Sequence, residues 1–171
     1  MVEIEVKVPV KDAAAVREAI LRAGAQLEKE RQAEDDTFFD LRSRALTSQK
    51  RALRLRRAGR KTFLTFKGAP QKSRRFKVRE EHETEVRNEK ALRQILRGLG
   101  FVAIFRYQKH RTVFRRGRLR ISLDETPAGA FCEFEGERSD IVKFARTLGY
   151  RSEEMIKQDY VQILTGRGKK A

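Results

Sequence analysis

Apolar and polar residues alternate along much of this chain. In an extended strand, residues two apart share a face. Within Val2 to Val8, then, Val2, Ile4, Val6 and Val8 line one side, and Glu3, Glu5 and Lys7 line the other. The same period recurs where Leu53 and Leu55 alternate with Arg54 and Arg56, and where Leu64 and Phe66 alternate with Thr65 and Lys67. Phe76 and Val78 oppose Lys77 and Arg79, a face that continues through Glu81, Glu83 and Glu85. Leu119, Ile121 and Leu123 oppose Arg120, Ser122 and Asp124, and Cys132 and Phe134 oppose Glu133 and Glu135. The stretch 102–114 breaks the rule, because Lys109 and Arg111 share parity with Phe105, Tyr107 and Val113. These patterns predict strands at about 2–9, 27–39, 51–58, 61–68, 73–87, 102–114, 117–125 and 130–137.

Helical spacing fills the gaps. A first helix follows Asp12, a favoured N-cap, and carries Val16, Ile20 and Leu21 before Gly24. Asn88 caps a second, whose stripe is Leu92, Ile95, Leu96 and Leu99, with glycines at 98 and 100. A third follows Ser139-Asp140, uses Ile141, Phe144, Ala145 and Leu148, and stops at Gly149. A short C-terminal helix is expected around Gln158 to Leu164. The stretch Arg17–Gly24 resembles Arg93–Gly100, which suggests two similar halves, each a sheet with an outer helix. Only Gly68-Ala69-Pro70 and Pro127-Ala128-Gly129 read as clear turns, and no linker divides the chain. One domain over 1–171 is expected, with a short basic disordered tail at 166–171.

The helices need sheet surface to cover, and the apolar strand faces supply it. An α+β fold follows: eight antiparallel strands closed into a barrel, helices outside and a charged lumen inside. Burying so many charges is tolerable only if they pair, stay hydrated or hold a ligand.

Composition narrows the ligand. Charged residues make up 37% of the chain against 39% apolar, so charge must share the interior. The net charge of +16 fits either an arginine-heavy solvated surface or an anionic partner. Nucleic acid is a secondary partner in this reading. No zinc finger, RNP-type aromatic motif or basic heptad occurs, and glutamates interrupt the basic strands. Two histidines and one cysteine cannot build the usual zinc site, so any metal is held by oxygen and is a hard ion, Mg²⁺ or Mn²⁺. The lone Cys132 excludes an intrachain disulfide. With no signal peptide and no apolar run of spanning length, the cytoplasm is expected and the membrane is not. A lumen holding both signs suits a triphosphate with a divalent cation. The acids near Glu3, Glu5, Asp124, Glu133 and Glu135 can take metal, and arginines and lysines can grip phosphate.

In this order the residues resemble the CYTH superfamily of triphosphate tunnel metalloenzymes, named for class IV adenylyl cyclases and thiamine triphosphatases. The Glu-x-Glu-x-Lys signature stands as Glu3, Glu5 and Lys7. Gln32 with Asp36-Thr37-Phe38-Phe39-Asp40, the basic strand Ala52–Arg56 and Leu64-Thr65-Phe66-Lys67-Gly68 follow. Arg79–Val86, Lys109-x-Arg111, Leu123-Asp124-Glu125 and Gly129-x-Phe131-x-Glu133-x-Glu135 complete the set. Phe38 departs from the usual tyrosine, and Asp159-Tyr160 replaces a Ser-Tyr pair frequent in cyclase-like members.

The resemblance implies metal ligation by Glu3, Glu5, Asp124, Glu133 and Glu135. It implies a triphosphate path of Lys7, Arg54, Arg56, Lys67, Arg79, Lys109 and Arg111. Glu81, Glu83 and Glu85 would orient those bases, and Glu3, Glu5, Lys7, Arg111 and Asp124 would form the catalytic group. The implied reaction is that of a class IV cyclase, with ATP giving 3′,5′-cyclic AMP and pyrophosphate. A triphosphatase is the alternative reaction, and a binding module without turnover is the alternative of another class. The protein would be a monomer or a homodimer.

Overall fold

The structure is a computed structural model that describes residues 2–166. Eight strands form: β1 (Val2–Val10), β2 (Gln26–Leu41), β3 (Ala52–Ala58), β4 (Lys61–Lys67), β5 (Lys77–Glu85), β6 (Phe101–Arg116), β7 (Leu119–Thr126) and β8 (Gly129–Glu135). They close into a barrel in the order β1-β5-β4-β3-β2-β6-β7-β8. The helices are α1 (Ala13–Arg22), α2 (Ala45–Ser48), α3 (Glu89–Gly98), α4 (Arg138–Thr147) and α5 (Tyr160–Leu164). The α+β barrel expected from strand parity is the fold observed.

Local chemistry explains where the boundaries fall. Asp12 and Asn88 accept from the amides of Ala15 and Ala91, capping α1 and α3 as their sequences foretell. Gly24, Gly100 and Gly149 follow α1, α3 and α4 with φ of 83°, 87° and 87°, so the shared glycine endings are shared left-handed turns. The strand expected from residue 73 begins instead at Lys77. The Ser73 hydroxyl accepts from the Phe76 amide at 3.3 Å and diverts that donor from the ladder. The third helix starts at Arg138, ahead of Ser139-Asp140, which places Asp140 in the first turn where a negative charge suits the helix dipole. α2 has no counterpart in the sequence reading. It is four residues long and is pinned by Asp40, which accepts from the amides of Leu46 and Thr47 and from the Thr47 hydroxyl.

The chain divides into two compact units drawn from interleaved segments rather than from sequence halves. The first comprises Ala33–Gln71 and Arg79–Gln108, with Val2; the second comprises Glu3–Gln32, Lys72–Val78 and 109–166. In the first, Phe39, Leu55 and Leu96 form an apolar core with Leu53, Leu64, Leu92 and Phe101, so α3 covers the leucine face of β3 and β4. In the second, Val6, Val8, Ile20, Phe114, Ile121, Phe134, Ile141 and Phe144 pack together, joining α1 and α4 to the apolar faces of β1, β7 and β8. Phe134 and Phe144 meet edge to face at 6.3 Å. In each unit the helices consume the apolar face and leave the charged face to the lumen. Apart from Gly166, the expected basic tail lies outside the described residues. No helix of the described residues is long and apolar enough to cross a membrane.

Candidate functional site

In the second unit the lumen face of β1, β6, β7 and β8 carries a buried network of alternating charge. Antiparallel pairing sets Lys7 opposite Glu133 and Arg111 opposite Asp124. Cross-strand partners project to the same side, so the register itself brings each cation to an acid. Lys7 Nζ lies 3.0 Å from Glu5 Oε1 and 2.8 Å from Glu133 Oε2. Arg111 forks onto Asp124, with Nε and Nη2 each donating at 2.6 Å, and Nη2 also reaches Glu133 at 3.1 Å. Lys109 donates to Asp124 Oδ2 at 2.9 Å, and the side chains of both are fully buried. Lys77 at the start of β5 reaches Glu5 at 3.2 Å.

The C-terminal segment contributes to this network. The Lys7 backbone forms an isolated bridge with Ile156, which directs the chain into α5. Tyr160 then donates its hydroxyl to Asp124 Oδ2 at 2.6 Å, while its ring lies 4.6 Å from Lys109 Nζ and 5.2 Å from Lys7 Nζ. Asp159 caps α5 and stands 3.7 Å from Lys77.

Burial opposes charge at each of these groups, and the neighbours outweigh it. Burial pulls the Lys7 ammonium down, but Glu133 and Glu5 hold it well above the lysine range. Burial pushes the Asp124 carboxyl up, yet Arg111 and Lys109 bring it down to about 2. Glu133 likewise lies well below its ordinary value, because Lys7, Arg111 and Lys109 overcome its desolvation. Burial, with Asp124 and Glu133 beside it, drives the Tyr160 phenol far up, so it remains a donor. At neutral pH Lys7, Asp124 and Glu133 are therefore charged, and Asp124 and Glu133 are too weakly basic to abstract protons.

The first unit holds its own charged set on the lumen face of β2 to β5. Arg56 grips Asp36 through two bonds of 2.7 Å and lies 3.1 Å from Glu34. Arg54 donates to the Thr65 hydroxyl at 3.1 Å and to Glu83 at 3.4 Å, while Thr65 donates to Glu83 at 2.7 Å. Lys67 pairs with Glu81. Arg79 donates to two backbone carbonyls, of Gly68 and Lys50, each at 2.9 Å, and so ties the segment after β4 to the one before β3.

The structure therefore brings Glu5, Lys7, Lys109, Arg111, Asp124 and Glu133 together in one unit, and Arg54, Arg56, Lys67 and Arg79 into the other. Glu3 is buried on the same face of β1. Glu135 sits near Arg120 at 3.7 Å and is partly exposed. Glu81 and Glu83 contact the bases they were expected to orient, and Glu85 instead pairs with the exposed Lys61 at 2.9 Å. Lys77, Asp36 and Tyr160 belong to these networks and were missed as site residues. Lys77 shares parity with Arg79, and Asp36 shares parity with Phe38 and Asp40; Tyr160 arrives from a five-residue helix too short for any period. A hard divalent cation suits the donor chemistry, since the acids offer only carboxylate oxygen. Among the described residues, no three metal-ligating side chains converge. One or two carboxylates with phosphate oxygens completing the shell is the arrangement this fits.

Comparison with known proteins follows the same line. The CYTH domain description matches residues 1–159. A protein of Methanocaldococcus jannaschii named "putative adenylate cyclase" is 27% identical over 174 residues, covering 95% of this chain and 98% of its own. A Vibrio parahaemolyticus structure described as a "putative adenylate cyclase" superposes with a TM-score of 0.85 at 24% identity, covering 95% of this chain and 97% of that one. A Hippeastrum protein, described as a "putative adenylyl cyclase" with dominant triphosphatase activity, superposes at 0.69 with 21% identity, covering 96% and 95%. At such identities the solved structures establish the fold.

Proposed function

This chain belongs to the CYTH domain family, and from that premise we propose that it is a metal-dependent enzyme converting ATP to 3′,5′-cyclic AMP and pyrophosphate. The observation that carries the reading is the buried network of Lys7, Lys109 and Arg111 with Glu5, Asp124 and Glu133. Three cations buried among carboxylates are costly as scaffolding and well suited to phosphate oxygens.

In this reaction the ribose 3′-oxygen bonds to the α-phosphorus as the bridging oxygen to the β-phosphorus leaves with its electron pair, and the hydroxyl proton passes to solvent. A Mg²⁺ or Mn²⁺ ion supplies charge neutralisation on the phosphate oxygens when bound. Glu3, Glu5, Asp124, Glu133 and Glu135 are the proposed carboxylates from which its one or two protein ligands would come. Asp124, already accepting four hydrogen bonds, also fixes the geometry of Lys109 and Arg111. Lys7, Lys109 and Arg111 in the second unit, and Arg54, Arg56, Lys67 and Arg79 in the first, are the proposed phosphate contacts. Lys7, Arg111 and Asp124, with Glu3 and Glu5, are the proposed catalytic set. No covalent nucleophile is needed, because in-line displacement depends on positioning and electrostatics.

Attack by water on the terminal phosphorus, giving ADP and phosphate, is the second reading; the dominant triphosphatase activity described for the Hippeastrum protein favours it. Chromatography of products from ATP with Mg²⁺ or Mn²⁺ separates the two. Cyclic AMP with pyrophosphate supports cyclisation, ADP with phosphate transfers the protein to the triphosphatases, and no turnover of any triphosphate overturns both.

A further inference from the structure

Three aromatic rings stand on the lumen face of the first unit, outside either apolar core. Phe38 lies directly opposite Arg54 in the β2–β3 register, so it projects to the arginine side of the sheet, while its neighbour Phe39 enters the core beneath α3. Its ring stacks against Tyr107 at 6.2 Å and 15°, and Phe105 is tilted against both at 6.3 and 6.0 Å. Phe38 and Phe105 keep part of their surface exposed, and Tyr107 is buried behind them. This is why β6 breaks parity: its aromatic residues face inward with Lys109 and Arg111 rather than outward.

A second observation sits beside the rings. The Nε of Arg54 is buried and has no hydrogen-bond partner among the described residues, although Nη2 of the same guanidinium is engaged by Thr65 and Glu83. A buried N–H left without an acceptor is uncommon and is normally satisfied by something the protein meets. Half-exposed aromatic faces on an otherwise charged surface are likewise unusual, because such rings gain most when covered.

We propose that Phe38 and Phe105, backed by Tyr107, form a stacking subsite for the planar heteroaromatic group of an organic triphosphate, with Arg54 Nε donating to an acceptor on that ligand. This rests on the triphosphate reading above and adds to it the residues that take the ring of the substrate, so inorganic tripolyphosphate is the poorer ligand. Aromatic stacking tolerates different rings, since each has a π-face, while the guanidinium adds a directional donor and a cation–π component. The specificity is therefore for a nucleobase or thiamine-like ring as a class, and comparing ligands identifies which.

The test is calorimetric binding of Mg²⁺ complexes of ATP, GTP, thiamine triphosphate and inorganic tripolyphosphate to the parent, Phe38→Ala, Phe105→Ala and Phe38→Tyr. Thermal melts confirm that each variant folds, and Phe38→Leu replaces the alanine variant if that one does not. The parent is expected to prefer at least one ring-bearing triphosphate over tripolyphosphate. That preference should fall about tenfold or more in Phe38→Ala and be retained in Phe38→Tyr, as expected when a stacking face is lost and restored. A parent that prefers tripolyphosphate, or a preference unmoved in both alanine variants, overturns the subsite and leaves the triphosphate reading standing. No binding of any triphosphate by the parent overturns that reading and the subsite with it.

Discussion

Replacing Asp124 with asparagine removes the charge at the centre of the buried network while keeping its shape. Asp124 is fully buried and accepts from Lys109 at 2.9 Å, from two nitrogens of Arg111 at 2.6 Å and from Tyr160 at 2.6 Å. Arg111 retains Glu133 at 3.1 Å in the variant, but Lys109 loses the ion pair that its fully buried side chain makes with Asp124 at 2.9 Å. Deleting one member of a buried pair costs about 3–5 kcal/mol, because the remaining charge stays desolvated. In a chain of this size each kcal/mol shifts the melting temperature by about 2–4 °C, so a drop of roughly 6–20 °C is expected. Adding Lys109→Met to the variant should recover much of the loss, since an apolar side chain needs no counter-charge. The assay is thermal and urea unfolding of the four members of this cycle, followed by circular dichroism. If Asp124→Asn melts within about 2 °C of the parent, or if Lys109→Met is as harmful beside asparagine as beside aspartate, the network does not hold the protein together in this way.

Acid titration gives an independent reading of the same group: with its carboxyl lowered from 3.8 to about 2, Asp124 contributes stability above pH 4 that is lost as pH falls through about 2. A carboxyl held this far below its ordinary value contributes about 2 kcal/mol, so the stability gap between parent and Asp124→Asn should narrow by that order from pH 5 to pH 2. Glu5→Gln should leave a folded protein, because Lys7 keeps Glu133 at 2.8 Å, while Mg²⁺-dependent turnover falls by orders of magnitude if Glu5 contacts the metal. Unchanged turnover and unchanged stabilisation by Mg²⁺ with a triphosphate would remove Glu5 from the site.

Much of the barrel was legible because the two strand faces meet such different surroundings. Where helices cover one side, as over Leu53 and Leu55 or Val6 and Val8, alternation has to be clean, and all eight strands were readable. The charged face was readable for the same reason: Glu5, Lys7, Asp124 and Glu133 all lie where parity puts them. Parity failed where the lumen itself is aromatic, at Phe105 and Tyr107, since an apolar residue in a strand does not announce which side it faces. Asp124 and Arg111 were legible as charges but not as a bonded pair, because register across strands is set by tertiary closure. Tyr160 was beyond reach for a further reason. Its approach depends on the bridge between Ile156 and Lys7, a contact separated by most of the chain.

The most direct test of the functional reading is a calorimetric titration of Mg²⁺-tripolyphosphate into the parent and into Lys109→Met. This isolates phosphate binding from the identity of any attached ring and from the choice of phosphorus attacked. Charge-assisted contacts in a desolvated site are worth about 1.5–3 kcal/mol, so the variant should bind roughly ten- to a hundredfold more weakly than a parent that takes up tripolyphosphate saturably. A parent that binds no tripolyphosphate, or a variant that binds it equally well, would contradict the assignment of the buried cations to phosphate.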